Sequence, residues 1–232
     1  MFGNPQKLLL PFVKKEQIAK NTWSFYFSRD NYPDFFPGQY NIVTIPDSDK
    51  NTPNLSHEFT ICSSPTEMSF IMITTKIKVE HSVFKDKLLN LKSNSEVQFE
   101  GPKGGFYLRS EDKTSRVFIS GGIGITPFHS MIKFAHDKKL KIPITLFASF
   151  STKEEMIFFE ELNEISNRND YIKTVFLKER ISEELIKKYA KDFQTPIFML
   201  AGPPKMIDDI TPILRSIGVE EENIKVDLFT GY

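Results

Sequence analysis

Apolar positions recur along this chain with two different periods. From Pro11 to about Tyr107 they follow the two-residue period of half-buried strands. Trp23, Phe25 and Phe27 alternate with polar neighbours, and Tyr40, Ile42 and Thr44 alternate with Asn41, Val43 and Ile45. Turn-forming residues break these runs at Asn31 to Pro33, at Pro37-Gly38, along the polar stretch Asp47 to Ser56, and at Gly101-Pro102. Short strands punctuated in this way predict a small antiparallel barrel, interrupted by one short helix over Ser82 to Leu89. From Arg116 the rhythm becomes strand, helix, strand, helix. Strands are expected at Val117 to Ser120, Ile144 to Ala148, Ile172 to Phe176, Ile197 to Leu200 and Ile224 to Leu228. Helices are expected at Pro127 to Asp137, Glu154 to Ile165, Ser182 to Tyr189 and Lys205 to Ile217. Such alternation predicts a five-stranded parallel sheet covered by helices. The polar turn Ser110 to Ser115 sets the expected boundary, giving a barrel domain over residues 1–110 and an α/β domain over residues 111–232.

The stretch from Arg116 to His129 carries the most chemistry. A short apolar strand enters a glycine-rich turn and leaves through Thr126-Pro127 into a helix. Glycines 121, 122 and 124 are expected to take left-handed backbone angles and to come close to a ligand, while the helix N-terminus aims its unpaired N–H groups at an anion such as phosphate. Pro127 suits the first helical turn, where its missing N–H costs nothing. A tight strand-to-helix turn with no ligand uses the same residues.

Composition narrows the possibilities. Lys plus Arg equals Asp plus Glu at 30 each, so no excess of positive charge points to nucleic acid or an anionic membrane. The first thirteen residues hold only the apolar run Leu8-Leu9-Leu10, too short for a signal-peptide core or a membrane span, and the expected location is cytoplasmic. Cys62 is the only cysteine, which excludes an internal disulfide and a self-contained four-thiolate iron–sulfur cluster. Four scattered histidines give no metal-ligand spacing, and no metal is expected.

Four segments in order carry a family resemblance: His57-Glu58-Phe59-Thr60 with Ser63, Gly101 to Phe106, Gly121 to Pro127, and Ala201-Gly202-Pro203-Pro204-Lys205-Met206, closed by Phe229-Thr230-Gly231-Tyr232. Together they resemble the ferredoxin–NADP reductase superfamily, in its compact form without a fused iron–sulfur domain. That resemblance implies a flavin-binding barrel followed by a Rossmann-like nicotinamide-nucleotide domain. It implies FAD, less readily FMN, and hydride transfer from a reduced nicotinamide dinucleotide to the flavin. Electrons then pass to a small ferredoxin-, flavodoxin- or haem-type acceptor protein in trans. Other readings of the same architecture are a non-catalytic nucleotide-binding or regulatory subunit of a redox complex, and a flavin reductase that releases free reduced flavin.

By the same resemblance, Phe59 packs on the flavin, Thr60 offers its hydroxyl near the flavin N5, and His57 faces the pyrophosphate. Thr74 and Thr75 run beside the ring. Ser82 and the backbone at Val83 hold the pyrophosphate, although a plain serine N-cap uses the same hydroxyl. Gly121, Gly122, Gly124 and Thr126 meet the nucleotide, with Thr126 near the point where nicotinamide and flavin stack. Ala201, Gly202 and Pro203 form the second wall, at the carboxyl end of a parallel strand where open sheets bind ligands. Phe229 and Tyr232 cover the flavin face until nicotinamide displaces one of them. Thr60, Thr126 and Phe229 are thereby the expected catalytic side chains. Three departures from the family pattern matter: His57 stands for arginine, Phe59 for tyrosine, and Ala201 for a frequent cysteine. Past the second parallel strand, Ser149 to Glu155 offers one lysine, Lys153, beside Glu154 and Glu155, a balance that favours NADH over NADPH. Lys76, Lys78, Lys85 and Lys87 form either a docking patch for an acidic acceptor or an ordinary solvated face.

Overall fold

A computed structural model describes residues 5–46, 55–189 and 195–229. The first half is a six-stranded antiparallel sheet built from β1 (Gln6–Ala19), β2 (Thr22–Ser28), β3 (Tyr40–Ile45), β4 (Leu55–Thr60), β5 (Phe70–Lys76) and β6 (Glu96–Lys103), in the order β4-β3-β6-β1-β2-β5. Helix α1 (Val83–Leu89) lies between β5 and β6. The sheet curls so that the segment after β4 reaches β5. There Cys62 N–H donates to Met72 O at 2.8 Å, and Met72 N–H donates to Ser63 Oγ at 3.0 Å. Strand β1 begins at Gln6, before the Pro11 start expected from periodicity, and it serves two neighbours. Residues up to Pro11 pair with β6 and those from Phe12 onward pair with β2. Pro11 has no N–H to give, so it fits the point where one ladder ends and the next begins.

The barrel core is aromatic. Phe25, Phe27, Phe84 and Phe99 are buried, with the Phe27 and Phe99 rings edge to face at 4.8 Å. Trp23 packs against this core and is only partly buried. On β3 the inward face is Asn41, Val43 and Ile45, and the polar member is matched inside by Tyr32, whose hydroxyl donates to Asn41 Oδ1 at 2.5 Å.

The second half has five parallel strands, β7 (Arg116–Gly121), β8 (Ile144–Ser149), β9 (Ile172–Leu177), β10 (Ile197–Gly202) and β11 (Ile224–Leu228), in the order β11-β10-β7-β8-β9. Helices α2 (Thr126–Asp137), α3 (Phe159–Asn167), α4 (Glu183–Tyr189) and α5 (Pro204–Ser216) cover its faces. One core layer centres on the stacked Phe118 and Phe128 rings, and another joins Val117, Ile119, Phe147 and Phe198 to α5. The expected helix Glu154 to Ile165 is shorter than its apolar pattern. A 3₁₀ turn occupies Lys153–Glu155 and α3 starts only at Phe159, because Phe158 takes a left-handed φ of 60° that ends one helix path and starts another.

Candidate functional site

The order of the parallel sheet fixes where a ligand can lie. Chain progress runs outward from β7 to β8 and β9 on one side, and returns to β10 and β11 on the other, so β7 and β10 flank a switch point whose carboxyl ends open a crevice. The two turns at that crevice are Gly121-Gly122 and Gly202-Pro203.

The glycines there do different jobs. Gly122 alone of the three in the first turn is left-handed, with φ of +54°, and an added Cβ would meet open space, so its backbone faces the crevice bare. Gly121 is extended, at φ −120° and ψ 119°. Gly124 is required by packing: a Cβ would sit 2.2 Å from the Ala201 carbonyl oxygen. The left-handed angles expected at Gly121 and Gly124 are therefore not taken. A 3₁₀ turn over Gly122–Ile125 precedes α2, which begins at Thr126 with Pro127 in its first turn. The Thr126 hydroxyl donates to Ile123 O at 3.1 Å, tying the helix start to the turn.

A cleft of about 1170 Å³ runs from this crevice across to the barrel, larger than the roughly 300–1,000 Å³ that holds one drug-sized ligand. His57, Phe59, Thr60, Thr74, Thr75, Gly121, Gly122, Thr126, Pro203 and Phe229 line it. The barrel and the sheet thus bring most of the residues singled out from sequence onto two facing walls. Phe229 is anchored, its N–H donating to Gly202 O at 2.9 Å. Phe59 stacks on Phe84 at 5.7 Å, and the His57 ring stands edge-on to Phe84 at 4.5 Å.

Six others stand back from the cleft. Ser63 is fully buried, its hydroxyl accepting the Met72 N–H. Ala201 is buried under Gly124, and neither Gly124 nor Gly202 faces the open space. Ser82 is the N-cap of α1, accepting from Lys85 N–H at 3.4 Å, and Val83 points to solvent. Tyr232 lies outside the described residues.

The electrostatics of the cleft were not legible in the sequence. Asp227, brought beside Ala201 by the β10–β11 register, lies half-buried opposite Glu58 of the barrel, and partial burial together with that neighbouring carboxylate raises its pKa to about 6. Burial, and then Lys85, lowers the pKa of His57, so this imidazole is neutral over more of the pH range than an ordinary histidine. Lys85 is itself pushed down by burial and by Lys78. Lys76 does not belong to a solvated patch. It crosses the cleft to form an ion pair with Glu155 at 2.6 Å, while Lys178 and Arg180 at the end of β9 complete the far wall. No run of charges in the sequence announces these pairs, because each joins residues on different elements. Among the described residues no cluster of His, Cys, Asp or Glu is arranged to hold a metal ion, and no helix is long and apolar enough to cross a membrane.

The chain matches two domain families. The oxidoreductase FAD-binding domain covers residues 9–107, and the oxidoreductase NAD-binding domain covers residues 118–211. Among curated relatives, it is 29% identical to a subunit of the Na(+)-translocating NADH-quinone reductase of Haemophilus ducreyi, over 75% of this chain and 48% of that protein. The chain therefore spans about half the length of the curated relatives it matches. Among solved structures, the cytochrome b5 reductase domain of Ulva prolifera nitrate reductase superposes with a TM-score of 0.82 at 19% identity, covering 97% of this chain and 99% of that one. A ferredoxin NADP+ reductase from Neisseria gonorrhoeae, solved with bound FAD and NADP, superposes with a TM-score of 0.81 at 16% identity, covering 96% and 98%.

Proposed function

We propose, given that the chain carries an oxidoreductase FAD-binding domain followed by an oxidoreductase NAD-binding domain, that it takes hydride from NADH onto a bound FAD and passes the electrons to a separate acceptor protein. One observation carries this reading: a single cleft joins a barrel wall of Phe59, Thr60, Thr74 and Thr75 to the switch-point turns at Gly121-Gly122 and Pro203-Pro204. The residues fit both cofactors. Gly122 presents bare backbone to open space, as a pyrophosphate needs, and the cleft is large enough for a flavin and a nicotinamide side by side. The flavin supplies the chemistry, accepting two electrons as hydride and releasing them singly.

The protein's part is placement and exclusion of water. Phe59 and Phe84 give an apolar floor, and Thr60 and Thr126 stand on opposite walls where their hydroxyls can orient the reacting rings. Phe229, its N–H held by Gly202 O and its ring packed against the α/β core at the cleft, is the aromatic that would yield when nicotinamide enters. Beside Glu58, Asp227 holds its proton up to about pH 6, well above the ordinary carboxylate range, and ionises as neutral pH is reached. His57 stands beside the expected pyrophosphate as an imidazole that becomes a cation only on the acid side of its ordinary range.

NADH is preferred to NADPH on charge: Glu179 and Asp209 accompany Lys178 and Arg180 on the far wall, leaving no net positive site for a 2′-phosphate. Residues 1–110 and 111–232 act as the flavin and nucleotide domains. The acceptor is a small ferredoxin-, flavodoxin- or haem-type protein, and a cytoplasmic site of action is part of the same reading. The curated relatives are named as subunits of an NADH-quinone reductase, which is in keeping with NADH as the donor. A visible spectrum of the purified protein supplied with FAD, before and after anaerobic NADH, tests the proposal. Flavin absorbance bleached by NADH is the expected result, and protein that stays colourless with FAD added would overturn it.

A further inference from the structure

Behind the cleft, between the two domains, lies a cluster of polar groups around one buried histidine that touches neither wall. His129 of α2 is 2% exposed. Its Nδ1 is 2.8 Å from Cys62 O, and its Nε2 is 2.8 Å from Glu161 Oε2 on α3. A backbone carbonyl can only accept, and an ionised carboxylate can only accept, so both ring nitrogens must donate and the ring is an imidazolium. Burial alone would push its pKa down, yet Cys62, whose Sγ is 3.7 Å away, and the Glu161 carboxylate outweigh this and hold it well above the ordinary value. Glu161 is correspondingly held down, to about 2, first by its hydrogen bond from His129. Lys133 adds a second cation at 3.4 Å from Glu161 and reaches Glu67 at 4.0 Å. Asp137 acts on the same lysine, and among the described residues these are the charged groups that the ring and its partners meet from both domains.

A strained residue of the α/β half belongs to the same cluster. Phe158, at φ +60°, is a bulky side chain in a conformation that costs about 1–3 kcal/mol. Its ring stacks on His129 at 4.0 Å and 29°, the geometry of a cation over an aromatic face. The strain places an aromatic lid on the imidazolium at the residue that also starts the helix carrying Glu161.

What the cluster grips gives it a role. Cys62 and Ser63 follow Thr60 by two and three residues, and Met72, bonded to both, precedes Thr74 by two. On the other side, His129 and Ser130 follow Thr126 by three and four. Ser130 Oγ donates to Ser63 O at 2.7 Å, directly beside the His129 bond to Cys62 O. Two hydrogen bonds from one turn of α2 therefore fasten the bridge between the threonine-bearing barrel strands to the helix that carries Thr126.

We propose that His129 and Ser130 are positioning residues that set the separation of the flavin wall from the nicotinamide wall. The inference rests on the flavin–nicotinamide reading of the cleft, since it assigns those walls their ligands. Its effect is on the geometry of the reactive complex, with nucleotide affinity left nearly unchanged. Displacement of about 1 Å between reacting groups costs as much as a hundredfold in rate. His129→Leu, which keeps the apolar bulk and removes both bonds, should slow anaerobic flavin reduction at saturating NADH about tenfold or more. The apparent Kd for NADH should move less than about threefold. The long-wavelength charge-transfer absorbance of the nicotinamide–flavin complex should weaken in the same variant. Glu161→Gln should keep the fast rate, because a neutral His129 still donates from Nδ1 to Cys62 O while Nε2 accepts from the new amide. A reduction rate and charge-transfer band unchanged in His129→Leu would overturn the proposal. Should that variant not fold, Ser130→Ala gives the decision: about a threefold slower rate is expected, and wild-type rate with wild-type absorbance overturns it. Nitrogen-15 NMR of the histidines, in protein without added flavin, tests the clamp apart from the redox reading. His129 should still carry protons on both nitrogens at neutral pH, where an ordinary histidine has lost one, and a single-proton ring at neutral pH would refute the charged clamp even if flavin chemistry is confirmed. Failure of the wild type to bind flavin sinks the functional reading and leaves this NMR result standing.

Discussion

The two halves of the molecule build their sides of the cleft from different material. The parallel-sheet half uses backbone: Gly121, Gly122 and Gly202-Pro203 lie at the ends of adjacent strands, and their contribution is bare peptide and close packing. The barrel half uses side chains, with His57, Phe59 and Thr60 on β4, Thr74 and Thr75 on β5, and Phe84 on α1. A backbone wall fails when anything is added to it. A side-chain wall can lose one group and keep its shape, so the halves should respond to mutation in opposite ways.

The largest effect should come from Gly124→Val. Its Cβ would meet the Ala201 carbonyl at 2.2 Å, with no flexible side chain to give way. A loss of about 3 kcal/mol in unfolding free energy is expected, and a thermal midpoint equal to wild type would break the contrast. On the barrel side, Thr60→Val should leave the midpoint nearly unchanged and slow flavin reduction about tenfold, the worth of one well-placed hydrogen bond. Stopped-flow reduction by NADH measures it.

Asp227→Asn tests the cleft's charge pairing across the domain boundary. Burial and Glu58 raise the folded-state pKa of Asp227 from 3.8 to about 6, so ionising it costs the native state more than the unfolded chain. That penalty is absent below about pH 4 and complete above about pH 6. The variant should therefore gain stability on the order of 1 kcal/mol at pH 8 and none at pH 4. An equal gain at both values would refute the assignment.

His57→Arg sharpens the same comparison. The pKa of His57 is lowered, so it carries charge only at the acid side of its ordinary range, and flavin should be held more tightly as pH falls. A permanent cation should tighten FAD binding about tenfold at pH 8 and less at pH 5.5, measured by quenching of flavin fluorescence. The smallest effect belongs to Lys76→Met. Breaking its partly exposed pair with Glu155 should cost about 1 kcal/mol or less, and a larger loss would show that this bridge, and not the clamp around His129, holds the domains together.

The legible part of this protein followed from periodicity and from glycine. Alternating apolar residues such as Phe25 and Phe27 can bury only one face of a strand, and the later strand–helix rhythm can bury its faces only in a covered parallel sheet. The site segments were legible because turns at strand ends depend on local backbone chemistry. Where local rules met packing, packing decided: the expected helix from Glu154 yielded to the kink at Phe158, and of the expected left-handed glycines only Gly122 kept that conformation.

The sequence by itself determined two architectures, their order and the turns that face a ligand, since those depend on neighbours within a few residues. Only the tertiary structure decided which charges meet: Glu58 with Asp227, Lys76 with Glu155, and His129 with Glu161 and Cys62. Each pair spans separate elements, and Coulomb and hydrogen-bond energies depend on distance in space, which the order of residues along the chain does not encode.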